Sequence, residues 1–84
     1  MFDVVCVGDV ALDDYFTVPH LPGPDEKVHA QYTGRAIGGT TCNTARALKS
    51  LGADVLFLTK IGEDDNGQYI QQAFSRLGLS ARYL

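Results

Sequence analysis

The chain has 84 residues, 45% of them hydrophobic and 20% charged, with no tryptophan. A chain of this length buries only about 60 to 65% of its unfolded surface, so a large sheet covered on both faces is beyond it unaided. Ten acidic residues outnumber seven scattered basic ones for a net charge of -3, which excludes the electrostatic footprint of a nucleic-acid or anionic-membrane binder.

Phe2 to Val7 (FDVVCV) is apolar and β-branched with too little polar alternation for a half-solvated strand. It predicts an interior strand of a parallel sheet, ending at Gly8-Asp9. No basic region, apolar core and cleavage site precede it, and no run reaches the length of a membrane span. A cytoplasmic location is therefore expected. Tyr15 to Val18 is a second β-like piece, and Pro19 to Glu26 holds all three prolines, so it must be a loop. In Lys27 to Thr33 the residues Val28, Ala30 and Tyr32 share one side, the pattern of an exposed strand.

From Cys42 to Leu51 the apolar residues Ala45, Leu48 and Leu51 recur at helical intervals, with Arg46, Lys49 and Ser50 opposite. Thr40 or Thr41 is the expected N-cap, and Gly52 the glycine just past the end. Val55 to Leu58 reads as a further interior strand. Glu63 to Gly67 is an acidic loop or cap, and Tyr69, Ile70, Ala73, Phe74 and Leu77 form the stripe of a second helix that Gly78 ends. Ser80 to Leu84 looks like the opening of another strand. This alternation predicts an α/β fold with a parallel sheet, and its few elements suggest the N-terminal piece of a longer protein.

Three constellations could carry chemistry. The first is Gly8 to Asp14, where open α/β sheets place ligands at the carboxyl ends of their strands; a carboxylate here could accept hydrogen bonds from two hydroxyls, or Asp13 and Asp14 could simply be turn residues. The second is Gly38-Gly39 to Asn43. Glycine lets backbone N–H groups approach a ligand, a helix N-terminus leaves donors unsatisfied, and an asparagine amide both donates and accepts. Its bland alternative is a helix-initiating turn with Asn43 in solvent. The third, Gly62 to Gly67, does not match a calcium loop and reads better as a helix cap. Neither a dinucleotide fingerprint nor a P-loop occurs. Cys6 and Cys42 lack companions for a zinc site or a disulfide framework. His20 and His29 read as solvated surface residues, and Tyr15, Phe16 and Tyr32 as locally packed aromatics.

In order and spacing these constellations resemble the ribokinase-like (PfkB) carbohydrate kinase family: Gly8 with Asp13 five positions on, Gly38-Gly39 leading to Asn43 and Ala45, then Gly52, and Gly62-x-Asp64-x-x-Gly67. The resemblance covers essentially the whole chain. It implies that residues 1–84 are the N-terminal part of a ribokinase-like three-layer α/β/α fold, with a small β-sheet lid over about residues 15–37. It further implies that Asp13 holds two substrate hydroxyls, that Gly38 and Gly39 present backbone N–H groups, and that Asn43 bonds a further hydroxyl. The family's partners would follow: a small sugar-like substrate, and a homodimer formed through the lid. ATP and Mg2+ would serve the full-length enzyme, but the family's catalytic aspartate lies in a downstream D-T-x-x-A-G-D motif that does not occur here. No catalytic residue and no metal ligand is therefore assigned to this chain. Thr41 departs from the family pattern, which has Gly, Ala or Pro there, and would narrow the pocket or lend it a hydroxyl. The alternative is a non-catalytic module that binds a small polyol or a partner through the lid.

Overall fold

The computed structural model describes all 84 residues. Its elements run β1 (Val4–Val7), β2 (Ala11–Thr17), β3 (Gln31–Gly38), α1 (Thr40–Ser50), β4 (Val55–Thr59), α2 (Asp65–Leu77) and β5 (Ser80–Tyr83). β1, β4 and β5 form a parallel sheet in the order β1-β4-β5, and β2 and β3 a separate hairpin. The register sets Cys6 beside Phe57 and Phe57 beside Ala81, so these three share one face of the sheet. Against that face lie Cys42 and Ala45 of α1 and Ile70, Ala73 and Phe74 of α2. Phe57 and Phe74 meet at 5.4 Å between ring centroids, the spacing of a favourable aromatic pair. The opposite face is uncovered: Val5 and Val7 are 51% and 65% exposed, beside half-buried Leu56 and Leu58. The missing polar alternation in β1 and β4 thus reports apolar residues on both faces, of which the helices cover one.

The helices take the predicted faces only in part: on α1 Ala45 is buried and Leu48 half-buried, but Leu51 lies past the helix end and is 84% exposed, and on α2 Ile70, Ala73 and Phe74 are buried while Leu77 at the last turn is exposed. α2 begins at Asp64, whose side chain accepts a hydrogen bond from Gly67 N at 2.8 Å, and ends at Gly78 in the left-handed conformation that glycine adopts without strain. Gly52 likewise follows α1 with φ 94°. The N-cap of α1 is a correction, because neither threonine occupies it. Gly39 does, and no side chain caps the helix; Thr40 and Thr41 are already helical.

The hairpin also differs in its bounds. β2 starts at Ala11 rather than Tyr15, so Asp13 and Asp14 are strand residues and not turn residues. β3 covers Gln31–Gly38 rather than Lys27 to Thr33. Gly34 looks like a strand terminator, yet here the register slips, Tyr15 pairing with Gly34 and Phe16 with Tyr32. Thr33 is the extra residue of a bulge, a position that glycine neighbours often mark. Beyond it Phe16 and Tyr32 pack edge to face at 5.3 Å. The proline-rich loop is tied by Glu26, which accepts from Gly23 N and meets His20 Nε2 at 2.7 Å.

The radius of gyration is 16.1 Å, against about 12 Å for a compact domain of this length. The hairpin projecting from the sheet body accounts for the difference. No helix is long and apolar enough to cross a membrane.

Candidate functional site

Where β1 ends, the chain turns through Gly8 and Asp9 into β2, and β3 returns beside it to enter α1 at Gly39. This brings the carboxyl end of a parallel strand, the base of the hairpin and a helix N-terminus together. A cleft of about 370 Å³ opens there, lined by Gly8, Asp9, Ala11, Gly39, Thr40 and Thr41. Because Gly39 has no side chain to cap α1, the first-turn N–H groups stay available at the cleft, where the helix carries partial positive charge.

The glycines make the approach possible. A Cβ on Gly39 would lie 3.3 Å from the Asp9 carbonyl oxygen and 3.4 Å from Ala11 N, and its φ of 98° is one that side-chain-bearing residues rarely adopt. A Cβ on Gly8 would lie 2.8 Å from Thr41 Cβ. Thr41 is thus admitted by the bare backbone of Gly8, and its side chain stands at the wall of the cleft.

Asp13 and Asp14 are consecutive on β2 and so point to opposite faces of the hairpin. Asp14 is fully engaged. Its carboxylate accepts from Arg35 Nε at 2.7 Å, from Arg35 Nη2 at 3.2 Å and from the Tyr32 hydroxyl at 3.2 Å. The Arg35 hydrogen bonds hold its pKa below the ordinary value of 3.8. Asp13 instead lies over Gly38 with its carboxylate exposed: a Cβ on Gly38 would sit 2.7 Å from Asp13 Oδ2. The facing residues of β3 on this side are Gly34, Ala36 and Gly38, paired with Tyr15, Asp13 and Ala11. Their small side chains leave a shallow trough in which Asp13 is the ionisable group, with Tyr15 beside it.

Of the four residues singled out from the sequence, Asp13 and Gly38 are in contact and Gly39 lines the cleft. Asp13, Gly38 and Asn43 are not among the residues that line the cleft. Asn43 is exposed on α1 and lines a separate groove of about 500 Å³ with Arg46, Ala47 and Leu77. Asp9 and Ala11, within the Gly8 to Asp14 constellation though not singled out there, line the cleft; their place straight after the β1 glycine is the signal for it. Gly62 to Gly67 resolves as a cap: a Cβ on Gly67 would fall on the Gly62 carbonyl, so the two glycines let the loop close around Asp64. His20 and His29 are exposed, and Cys6 and Cys42 are free and buried in the core. No group of three His, Cys, Asp or Glu side chains converges.

Comparison with known proteins identifies the family of the chain. The chain is 32% identical over 78 residues to a ribokinase of Haemophilus influenzae, covering 93% of this chain and 26% of that protein. It is 34% identical over 64 residues to a nucleoside kinase of Methanocaldococcus jannaschii, covering 76% of this chain and 21% of that one. Among solved structures, the ribokinase of Giardia lamblia matches the fold with a TM-score of 0.81 at 20% identity, over 99% of this chain and 26% of that one. The chain spans about a quarter of the length of these relatives. The model of the pfkB family carbohydrate kinases matches residues 1–84 throughout, and the chain belongs to that family.

Proposed function

We propose that this chain is the N-terminal substrate-binding portion of an ATP-dependent kinase that phosphorylates a hydroxyl of a sugar, sugar acid or nucleoside. One observation carries the reading: an exposed carboxylate with no internal partner, Asp13, is seated over a bare glycine backbone beside an uncapped helix N-terminus. A carboxylate only accepts hydrogen bonds and free N–H groups only donate, so together they suit a ligand rich in hydroxyl groups, each both donor and acceptor. Holding adjacent hydroxyls on Asp13 fixes the ring and aims a further hydroxyl along one direction, the orientation that lowers the entropic part of the barrier. Asn43 would contribute only if the ligand or the protein brings it toward the cleft.

The β2–β3 hairpin is read as the lid. Its shallow face would close over the substrate and exclude water, and its exposed Tyr15, Phe16 and Tyr32 suit contact with ligand or with the lid of a second subunit. ATP with Mg2+ supplies the phosphoryl group in this reading, and the residues of this chain bind and orient the acceptor without transferring it.

The test is a substrate screen on the full-length protein with calorimetry. Asp13→Ala is expected to lower affinity for the preferred substrate by about tenfold or more, the worth of hydrogen bonds to a charged group. The purified 84-residue chain is expected to phosphorylate nothing. Unchanged affinity in the variant, or ATP-dependent product from the short chain, would overturn the proposal.

A further inference from the structure

We infer that Arg35 is a positioning residue, one that moors the β2–β3 hairpin to α2 and so fixes where Asp13 stands. The inference rests on the reading of Asp13 as the ligand for substrate hydroxyls.

Arg35 sits on β3 directly opposite Asp14 and grips that carboxylate through Nε and Nη2, at 2.7 and 3.2 Å. Its remaining nitrogen reaches outward. Nη1 donates to Asn66 Oδ1 in the first turn of α2 at 3.2 Å, and the Tyr69 hydroxyl, one turn on, donates to the Arg35 carbonyl at 2.8 Å. The guanidinium also lies 5.5 Å from the centre of the Tyr69 ring, which the Arg76 guanidinium approaches at 5.8 Å. One residue therefore joins both strands of the hairpin to a helix far along the chain, with its side chain and its backbone together.

An exposed ion pair that only knitted β2 to β3 would add little to strands already zipped by their backbone ladder. The bonds to Asn66 and Tyr69 do something else. No backbone hydrogen bond connects the hairpin to α2, and beside the mooring a gap of about 170 Å³ separates Ala36 and Ile37 from Tyr69 and Ala73. Ile37 is buried in the core and Leu12 packs against it, so packing holds the base of the hairpin, and the Arg35 bonds tie the strands where this gap leaves packing incomplete. The hairpin's covalent ties to the body are two short connections, the Gly8 to Val10 turn and Gly39. Because Asp13 and Asp14 are neighbours on one pleated strand, clamping Asp14 sets the height and tilt of Asp13 on the opposite face. A lysine at 35 would keep the charge but lose the planar fork that spans Asp14 and Asn66 at once.

The full-length protein tests this with Arg35→Ala, Arg35→Lys and Tyr69→Phe, alongside Asp13→Ala as the reference. By hydrogen–deuterium exchange, Arg35→Ala is expected to speed exchange in peptides covering Ala11–Thr17 and Gln31–Gly38 while those of β4 keep wild-type rates. The KM for the acceptor substrate is expected to rise by about tenfold to a hundredfold, as misplacement on an ångström scale does, with the KM for the phosphoryl donor unchanged. Arg35→Lys should recover part of the loss, and Tyr69→Phe should give a smaller effect of the same kind. If Arg35→Ala does not fold, the lysine and phenylalanine variants carry the same comparison. Wild-type exchange in the hairpin and wild-type acceptor KM, in a protein whose affinity Asp13→Ala destroys, would overturn the mooring. If Asp13→Ala leaves binding intact, the substrate-site reading fails instead, and unchanged hairpin exchange in Arg35→Ala then refutes the mooring separately.

Discussion

Gly38→Ala separates the two jobs a glycine can do at this site. The new methyl carbon would lie 2.7 Å from Asp13 Oδ2 and 3.6 Å from its Cγ, with the oxygen about 0.7 Å inside ordinary contact. The obstacle is the far end of a side chain, so the carboxylate can yield by turning about χ1, at roughly 0.5–1.5 kcal/mol for a 30° departure from its rotamer. Gly38 is not among the glycines with positive φ, so alanine fits the backbone and restricts the unfolded chain, returning about 0.4–1 kcal/mol. The two effects nearly cancel, and thermal unfolding should change by no more than a few degrees. Binding should not be spared. A carboxylate swung off its seat forfeits hydrogen bonds worth about 1.5–3 kcal/mol, which is about a tenfold to hundredfold loss of substrate affinity. Calorimetric titration and a melting curve on the same full-length preparation read both numbers. Gly39→Ala is the contrasting control, since its φ of 98° costs about 1–3 kcal/mol of stability when a Cβ is added. Wild-type affinity in Gly38→Ala at wild-type stability would refute the claim that the seat of Asp13 on Gly38 matters for binding.

Three further outcomes are expected. Asp64→Ala removes the acceptor for Gly67 N and should lower stability by about 1 kcal/mol, whereas Gly67→Ala drives a methyl onto the backbone carbonyl of Gly62 and should cost more; equal denaturation midpoints for the two would contradict this account of the loop. Cys42 is wholly buried, and burial pushes its thiol pKa up, so a thiol reagent at pH 8 should label it only on the unfolding timescale, and rapid native labelling would count against the core described above. The Asp14 carboxyl is held below 3.8, first by its hydrogen bonds from Arg35. A lowered folded pKa means that the stabilisation is complete above the unfolded value and is lost as pH falls through the folded one, while Arg35 stays charged throughout. An NMR titration should find the Asp14 midpoint below 3.8 in the wild type and near the ordinary value in Arg35→Ala; identical midpoints would remove Arg35 as the cause.

What the sequence made legible was set by short-range rules. The inner parts of the two helical stripes, the acidic cap before α2 and the Gly52 and Gly78 stops rest on local spacing and on backbone angles that few residues tolerate, and these appear where the residues indicate, whereas Leu51 and Leu77 at the helix ends are exposed. The hairpin was blurred for a physical reason. Gly34 breaks the apparent strand at Thr33, but in the fold it sits beside a bulge that keeps the ladder going to Gly38, and a bulge leaves no period in the sequence. The α1 cap was misplaced because a threonine before a helix normally supplies the capping oxygen, and only the structure shows Gly39 taking that position without one. The Arg35 contacts to Asn66 and Tyr69 reach across some thirty residues, and no motif announces them.

Asp13 and Asp14 show where the remaining ambiguity lay. As adjacent aspartates in one strand they are indistinguishable by composition, and either could have been the ligand for hydroxyl groups. Pleating sends them to opposite faces with different neighbours: Arg35 pairs with Asp14, and Asp13 is left exposed over Gly38, which is what favours Asp13 in the proposed reading. The family's glycine spacing divides the same way. Gly62 and Gly67 are fixed by a backbone that closes on itself, so they say nothing of a ligand. Gly38 and Gly39 are fixed by a carboxylate and by a close backbone turn at the open cleft. A glycine pattern alone therefore identifies the fold, and only the second pair bears on what the cleft holds. In the proposed site, the side chains that would meet the substrate around that pair are Ala11 and Thr41 at the cleft and Tyr15 beside Asp13 on the same face of the strand.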